Sequence, residues 1–214
     1  MIHFAIAYRL FDSRPHPAFL LGAIAPDAVT LRKQDTAAKK RSHLTTVEGK
    51  APSKEALKEH CRNAVRGHTE PGFKPFIAGY MSHIIADIGW GNVKREVSCS
   101  NAALKELLWQ EEIKMDFLLF RSVEWRNRLI EDVCSSPLYE WNDLYSIDEL
   151  NAFRKHVFDW LSDTAKEPDI SPRYITGSVV ERFIESAVEE LTLFYEDIGL
   201  DLATYTSKPF ERRD

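Results

Sequence analysis

The segment Ala78-Gly79-Tyr80-Met81-Ser82-His83-Ile84-Ile85-Ala86-Asp87-Ile88-Gly89-Trp90 constrains this chain more than any other. It is apolar nearly throughout, yet it carries an imidazole and a carboxylate. Four residues apart on a helix, His83 and Asp87 project from one face, which also holds Gly79. Ile84, Ile85, Ala86 and Ile88 cover the flanks, so the helix is predicted to be buried on most sides. A buried carboxylate costs on the order of several kcal/mol unless it is paired or metal-bound. A His and an Asp one turn apart can coordinate one ion without backbone strain, and the missing side chain at Gly79 lets another ligand-bearing segment approach. A buried His–Asp hydrogen bond serving structure alone is the alternative that this segment leaves open.

The rest of the chain supplies helices to surround it. Alternating strand patterns are scarce, only 9 Gly and 10 Pro are spread over 214 residues, and apolar residues recur at i, i+3, i+4 and i+7, which predicts an all-α fold. Helices are expected over 2–11, 16–22, 54–66, 74–90, 101–133, 147–164 and 176–200. Pro17 at a first turn, Ser53 as a cap and Gly67 as a terminator mark three of the boundaries. Residues 26–52 read as irregular, with Lys39-Lys40-Arg41 as a solvated loop. A single domain of about seven helices is expected over residues 1–203, followed by a polar, frayed tail at 204–214.

Composition excludes several classes. The charge of −5 gives no electrostatic case for nucleic acid. The longest apolar run, Ala18–Ala25 with Gly22 counted in it, is far short of the about 20 residues of a spanning helix. The N-terminal stretch lacks a basic region before an unbroken apolar core, and Asp12, Arg14 and His16 interrupt it, so it does not read as a signal peptide. Cys61, Cys99 and Cys134 are scattered and odd in number, which points to a reducing cytoplasm rather than a disulfide framework.

Three further candidates lie outside the central helix. The run Leu21-Gly22-Ala23-Ile24-Ala25 ends at Pro26-Asp27, placing Asp27 at the mouth of the core unless it is an ordinary turn aspartate. His3 stands early on an apolar segment, and His43 follows Ser42. A lone histidine like either is more often a hydrogen-bonded core or surface residue than a ligand. A mixed imidazole and carboxylate set suits zinc better than magnesium or calcium.

In this order, His3, then the run to Pro26-Asp27, then Ser42-His43, then the Ala78–Trp90 segment resemble the zinc-dependent phospholipase C family, with its P1 nuclease-like helical fold. The resemblance covers roughly the first 90 residues. It implies a helical domain holding a zinc cluster, with Asp27, His43, His83 and Asp87 forming one site. Asp87 would bridge to a second ion that His3 also binds. It further implies hydrolysis of a phosphoester, a small one or a phospholipid head group, with Asp27 as general base as well as ligand. Gly91 follows Trp90 where many relatives carry a histidine, and no HxxxE pair follows residue 90 to supply a third site. One or two ions are therefore expected. Glu112, Asp116 and His68 are the replacement candidates, although they read more simply as two solvated helix carboxylates and a loop histidine, and His156 reads as a helix-surface residue.

The expected chemistry is a water activated by bound metal and attacking phosphorus. The histidines must bind as neutral imidazoles, so activity is expected to fall below about pH 6. Lys39, Lys40 and Arg41 would attract an anionic substrate. The competing class is a metal-containing scaffold or partner-binding protein without turnover. An HD-type phosphohydrolase ranks last, because no His-Asp dipeptide occurs.

Overall fold

A computed structural model of the chain describes residues 1–33, 35–98 and 101–206. Nine α-helices form among them, α1 (Ile2–Leu10), α2 (Pro17–Gly22), α3 (Thr36–Ser42), α4 (Lys54–Gly67), α5 (Phe73–Ser98), α6 (Ala102–Ser122), α7 (Arg126–Ser135), α8 (Ile147–Ser162) and α9 (Gly177–Asp197), and a 3-10 helix, Ala25–Leu31, links α2 to α3. The described residues contain no strand, only an isolated bridge between Pro15 and Thr206. They make one multi-helix domain around a single hydrophobic core. Among the described residues no helix is long and apolar enough to cross a membrane.

Local chemistry sets most boundaries. Ser53, Asn101 and Thr176 each accept a backbone N–H in the first turn of α4, α6 and α9, and Ser146 with Glu149 forms a reciprocal capping box on α8. Gly67 is instead the last residue of α4, with extended His68 as the cap.

Tertiary packing moves other boundaries away from the sequence reading. Residues 26–52 are not wholly irregular, since the 3-10 helix and α3 lie within them. Asp35 caps α3 by accepting from Ala38 N, and Ala38 is buried beneath it. A helix this short has little stability of its own, so its packing on the 3-10 segment holds it. The single helix expected over 101–133 is two. It breaks at Val123, and Trp125, which starts α7, stacks on Tyr8 of α1 at 3.9 Å. No Gly or Pro marks that break. The central helix α5 continues past Trp90 to Ser98. Of the expected tail, Tyr205 is buried and its carbonyl accepts from His16 N, while residues 207–214 lie outside the described residues.

Helix α5 is the axis of the fold. Phe76, Ile77, Ala78, Tyr80, Met81 and Ile84 are all buried along it, as expected of a helix apolar on every side. Its largest contact is with α2. Two glycines make that contact possible: a Cβ at Gly79 would stand 2.0 Å from the Phe19 carbonyl oxygen, and one at Gly22 would stand 2.0 Å from that of Phe76. The two backbones therefore touch directly. The approach carries the end of α2, and with it the 3-10 helix bearing Asp27, to the face of α5 that holds His83.

Candidate metal centre

Five side chains from four stretches of chain converge beside α5. His3 comes from α1, Asp27 from the first turn of the 3-10 helix, His43 from the C-cap of α3, and His83 and Asp87 from α5. His83 is 1% exposed. Its Nδ1 lies 2.8 Å from the Ala23 carbonyl oxygen, and that of His43 lies 2.9 Å from the Lys39 carbonyl oxygen. A carbonyl only accepts, so both Nδ1 atoms donate and the two Nε2 atoms turn inward. They face each other at 3.3 Å. Two imidazole lone pairs at that distance repel unless a proton or a cation lies between them.

The carboxylates complete the arrangement. Asp87 Oδ2 stands 3.3 Å from His43 Nε2 and 3.5 Å from His83 Nε2. Asp27 stands 3.5 Å from His43 Nε2 through Oδ1 and 3.8 Å from His83 Nε2 through Oδ2. Donors held at about 2.0–2.1 Å around a tetrahedral ion lie about 3.3–3.4 Å from one another. The measured separations sit at or slightly above that edge length. On the other side of Asp87, Oδ1 lies 3.4 Å from His3 Nε2, and the His3 ring stacks on His83 with centroids 4.1 Å apart. Two overlapping sets thus present ligand atoms within 4.8 Å of one another, His3 with His83 and Asp87, and Asp27 with His43 and His83. Each can hold a metal ion.

The electrostatics favour a cation. Burial opposes a charge on His83, but Asp87 and Asp27 outweigh it and push the imidazolium up to about 9. Burial likewise opposes charge on Asp87 and Asp27. The imidazoles hold Asp87 well below the usual carboxylate range, and His83, Lys39 and His43 lower Asp27. For His3, burial and the neighbouring His83 push the imidazole down. Asp27 Oδ1, although 3.2 Å from Lys39 Nζ, is buried without a hydrogen bond of acceptable geometry. An orphaned carboxylate oxygen and two inward-facing Nε2 atoms are what a divalent ion would satisfy once it displaces the His83 proton, so the residues present fit the expected metal. On a free His83 a proton persists well above pH 6, so it competes with a metal over a wider range than the sequence reading expects.

The cluster opens into a cavity of about 500 Å³. Glu112 and Asp116 both face it without joining either ligand set. Glu112 accepts from Trp90 Nε1 at 2.7 Å and Lys94 Nζ at 2.8 Å, and Asp116 accepts from the Met1 amine at 2.7 Å. His68 lies elsewhere, stacked on Phe73 with Nδ1 3.0 Å from the Ala64 carbonyl oxygen. The basic cluster is the last turn of α3 rather than a loop, and of its three cations it is Lys39 that lines the cavity. His156 is exposed, as expected, but it lines the same cavity.

Sequence reasoning missed the apolar wall of that cavity and the tether beneath it. Phe153, Val157 and Trp160 line it from α8. Their i, i+4, i+7 spacing was the available signal. Arg32 pairs with Glu149 through two hydrogen bonds, one of them 2.7 Å long, and so ties the end of the Asp27-bearing 3-10 helix to the capping box of α8. Comparison with family models, curated proteins and solved structures returns no match. An all-helical fold, among the described residues, with His/Asp clusters geometrically able to coordinate a metal ion is thus the class that fold and site define.

Proposed function

We propose that this chain is a zinc-dependent phosphoric ester hydrolase of the phospholipase C type, acting on a small phosphoester or a phospholipid head group in the cytoplasm. The observation that supports it best is the position of Asp87, whose two oxygens serve two neighbouring sets of imidazoles at 3.3–3.5 Å. Asp27, His43, His83 and Asp87 would hold one ion, and His3 with Asp87 a second. Bound zinc supplies charge neutralisation for a phosphate and lowers the pKa of a water toward about 7.

The chain's own residues carry the remaining work. Asp27 Oδ1 takes the proton of the attacking water, since it is an acceptor with no other hydrogen bond. Lys39, on the cavity wall 3.2 Å from Asp27, orients an anionic oxygen beside it. The Ala23 and Lys39 carbonyls fix the His83 and His43 tautomers, so neither ring reorganises on binding. The apolar side chains of α8 offer a contact surface for the carbon side of the ester.

The test begins with metal analysis of protein purified without added metal, which is expected to show at least one bound transition metal. A chelator-sensitive assay on p-nitrophenyl phosphate and bis(p-nitrophenyl) phosphate follows. His83→Ala and Asp87→Ala are expected to lose both bound metal and turnover. Metal retained without turnover of any phosphoester would point to the scaffold reading. Turnover that survives His83→Ala would overturn the site.

A further inference from the structure

His156 differs from every other ionisable side chain around the cavity. His3 and His83 lie against Asp87 at 3.4–3.5 Å. Lys39 faces Asp27 at 3.2 Å, and Lys94 pairs with Glu112 at 2.8 Å. Asp116 holds the Met1 amine. His156 lines the cavity with no hydrogen-bond or ion-pair partner among the described residues. It projects from α8 beside Phe153, Val157 and Trp160, so it is one proton-carrying group on an otherwise apolar wall. Helix α8 is anchored, because its capping box holds its first turn and Glu149 binds Arg32. The ring is therefore presented to the cavity from a fixed backbone, in contact with solvent.

A phosphoester leaves two oxygens to be served. The attacking water loses a proton, and the departing alkoxide must gain one. The His/Asp cluster supplies groups for the first event. Resting on the hydrolase reading above, we propose that His156 is the general acid for the second. As the water oxygen bonds to phosphorus, the bond from phosphorus to the ester oxygen breaks, and its electron pair stays on that oxygen. The His156 imidazolium passes its proton there, releasing a neutral alcohol. The neutral ring then takes a proton from bulk water, which has received the one lost by the attacking water.

The experiment exploits leaving groups. Zinc-loaded wild type, His156→Gln and His60→Ala are assayed on p-nitrophenyl phosphate, whose anion departs unassisted, and on phenethyl phosphate, whose alkoxide does not. His156→Gln is expected to lose about 10²–10⁴-fold on the alkyl ester and less than about tenfold on the nitrophenyl ester. His60, exposed on α4 and outside the cavity lining, is expected to change neither. Equal losses on the two esters, or no loss, would overturn the assignment. If wild type turns over neither ester, the hydrolase reading itself falls and takes this assignment with it.

A second readout needs no turnover. The ring C–H resonance of His156, identified by its absence in His156→Gln, is expected to shift as phenylphosphonate is titrated into the zinc-loaded protein. A resonance that stays in place while the phosphonate shows saturation transfer from the protein would put the ring away from the ester and overturn the assignment.

Discussion

Two carboxylate environments in this protein solve the same problem in opposite ways. Glu111, in α6, is fully buried, and its oxygens accept from the backbone N–H groups of Arg173, Tyr174 and Ile175 at 2.8, 2.9 and 2.7 Å. Its negative charge is met by three fixed dipoles of the loop that leads into α9, and it needs nothing further. Asp27 and Asp87 are met by imidazoles, one oxygen of Asp27 has no hydrogen bond, and two Nε2 atoms face each other at 3.3 Å. The first arrangement is closed and ties two parts of the chain together. The second is open toward a cavity. The two environments thus differ both in exposure and in hydrogen bonding, which is complete around Glu111 and unfinished at Asp27.

That contrast can be broken or sharpened by measurement. The largest effect is expected from Glu111→Ala, which leaves three amides without their acceptor and should lower unfolding free energy by about 3–5 kcal/mol in urea titrations. Next comes the ion itself. Zinc at 100 times its Kd should stabilise wild type by about 2.7 kcal/mol, and should do the same for Glu111→Ala while leaving His83→Ala unmoved. Loss of the zinc increment in Glu111→Ala would show that the two carboxylate environments are coupled.

Gly79→Ala should cost about 2 kcal/mol, because its methyl group would meet the Phe19 carbonyl and push α2 from α5. It should also weaken zinc binding in calorimetry, since the Ala23 carbonyl that orients His83 moves with α2. Unchanged zinc affinity in this variant would separate the centre from the helix contact.

The smallest effect concerns the Arg32–Glu149 tether. Hydrogen bonds from the Arg32 guanidinium, opposed by burial and helped by the Ser146 amide, hold Glu149 at about 2 against an ordinary 4.5. A depressed carboxyl stabilises the fold above its ordinary value, and that stability is lost as pH falls from 4.5 through 2. Both side chains are partly exposed, so Glu149→Gln should remove less than about 1 kcal/mol at neutral pH and flatten the acid limb of the stability curve. An acid limb identical to wild type would sink this account of the tether.

How much was legible follows from the kind of signal each feature leaves. Helix α5 and its His83–Asp87 pair were readable because a charged couple in an apolar run has few explanations. The helix starts at Ser53, Asn101 and Thr176 were readable because the caps that set them act within one turn. The break at Val123 left no mark, since a stacking partner on α1 holds it. Glu111 and Glu112 are neighbours in sequence and look alike there. One is sealed under the loop before α9, and the other faces the cavity beside Trp90. His156 gave the same surface signature as His60, and only the placement of α8 against the 3-10 helix sets it on the cavity wall.

By itself the sequence determined an all-helical chain with one helix that had to be central, because periodicity and a buried ionic pair act along a few turns. It also marked Gly79 as a point of close approach. Only the tertiary structure decided that α2 would fill that approach and that five side chains would meet across it. It alone completed the hydrogen bonding of one carboxylate and left another short of a partner. Distances between segments far apart in the chain are set by how backbones pack, and no local pattern of residues contains them.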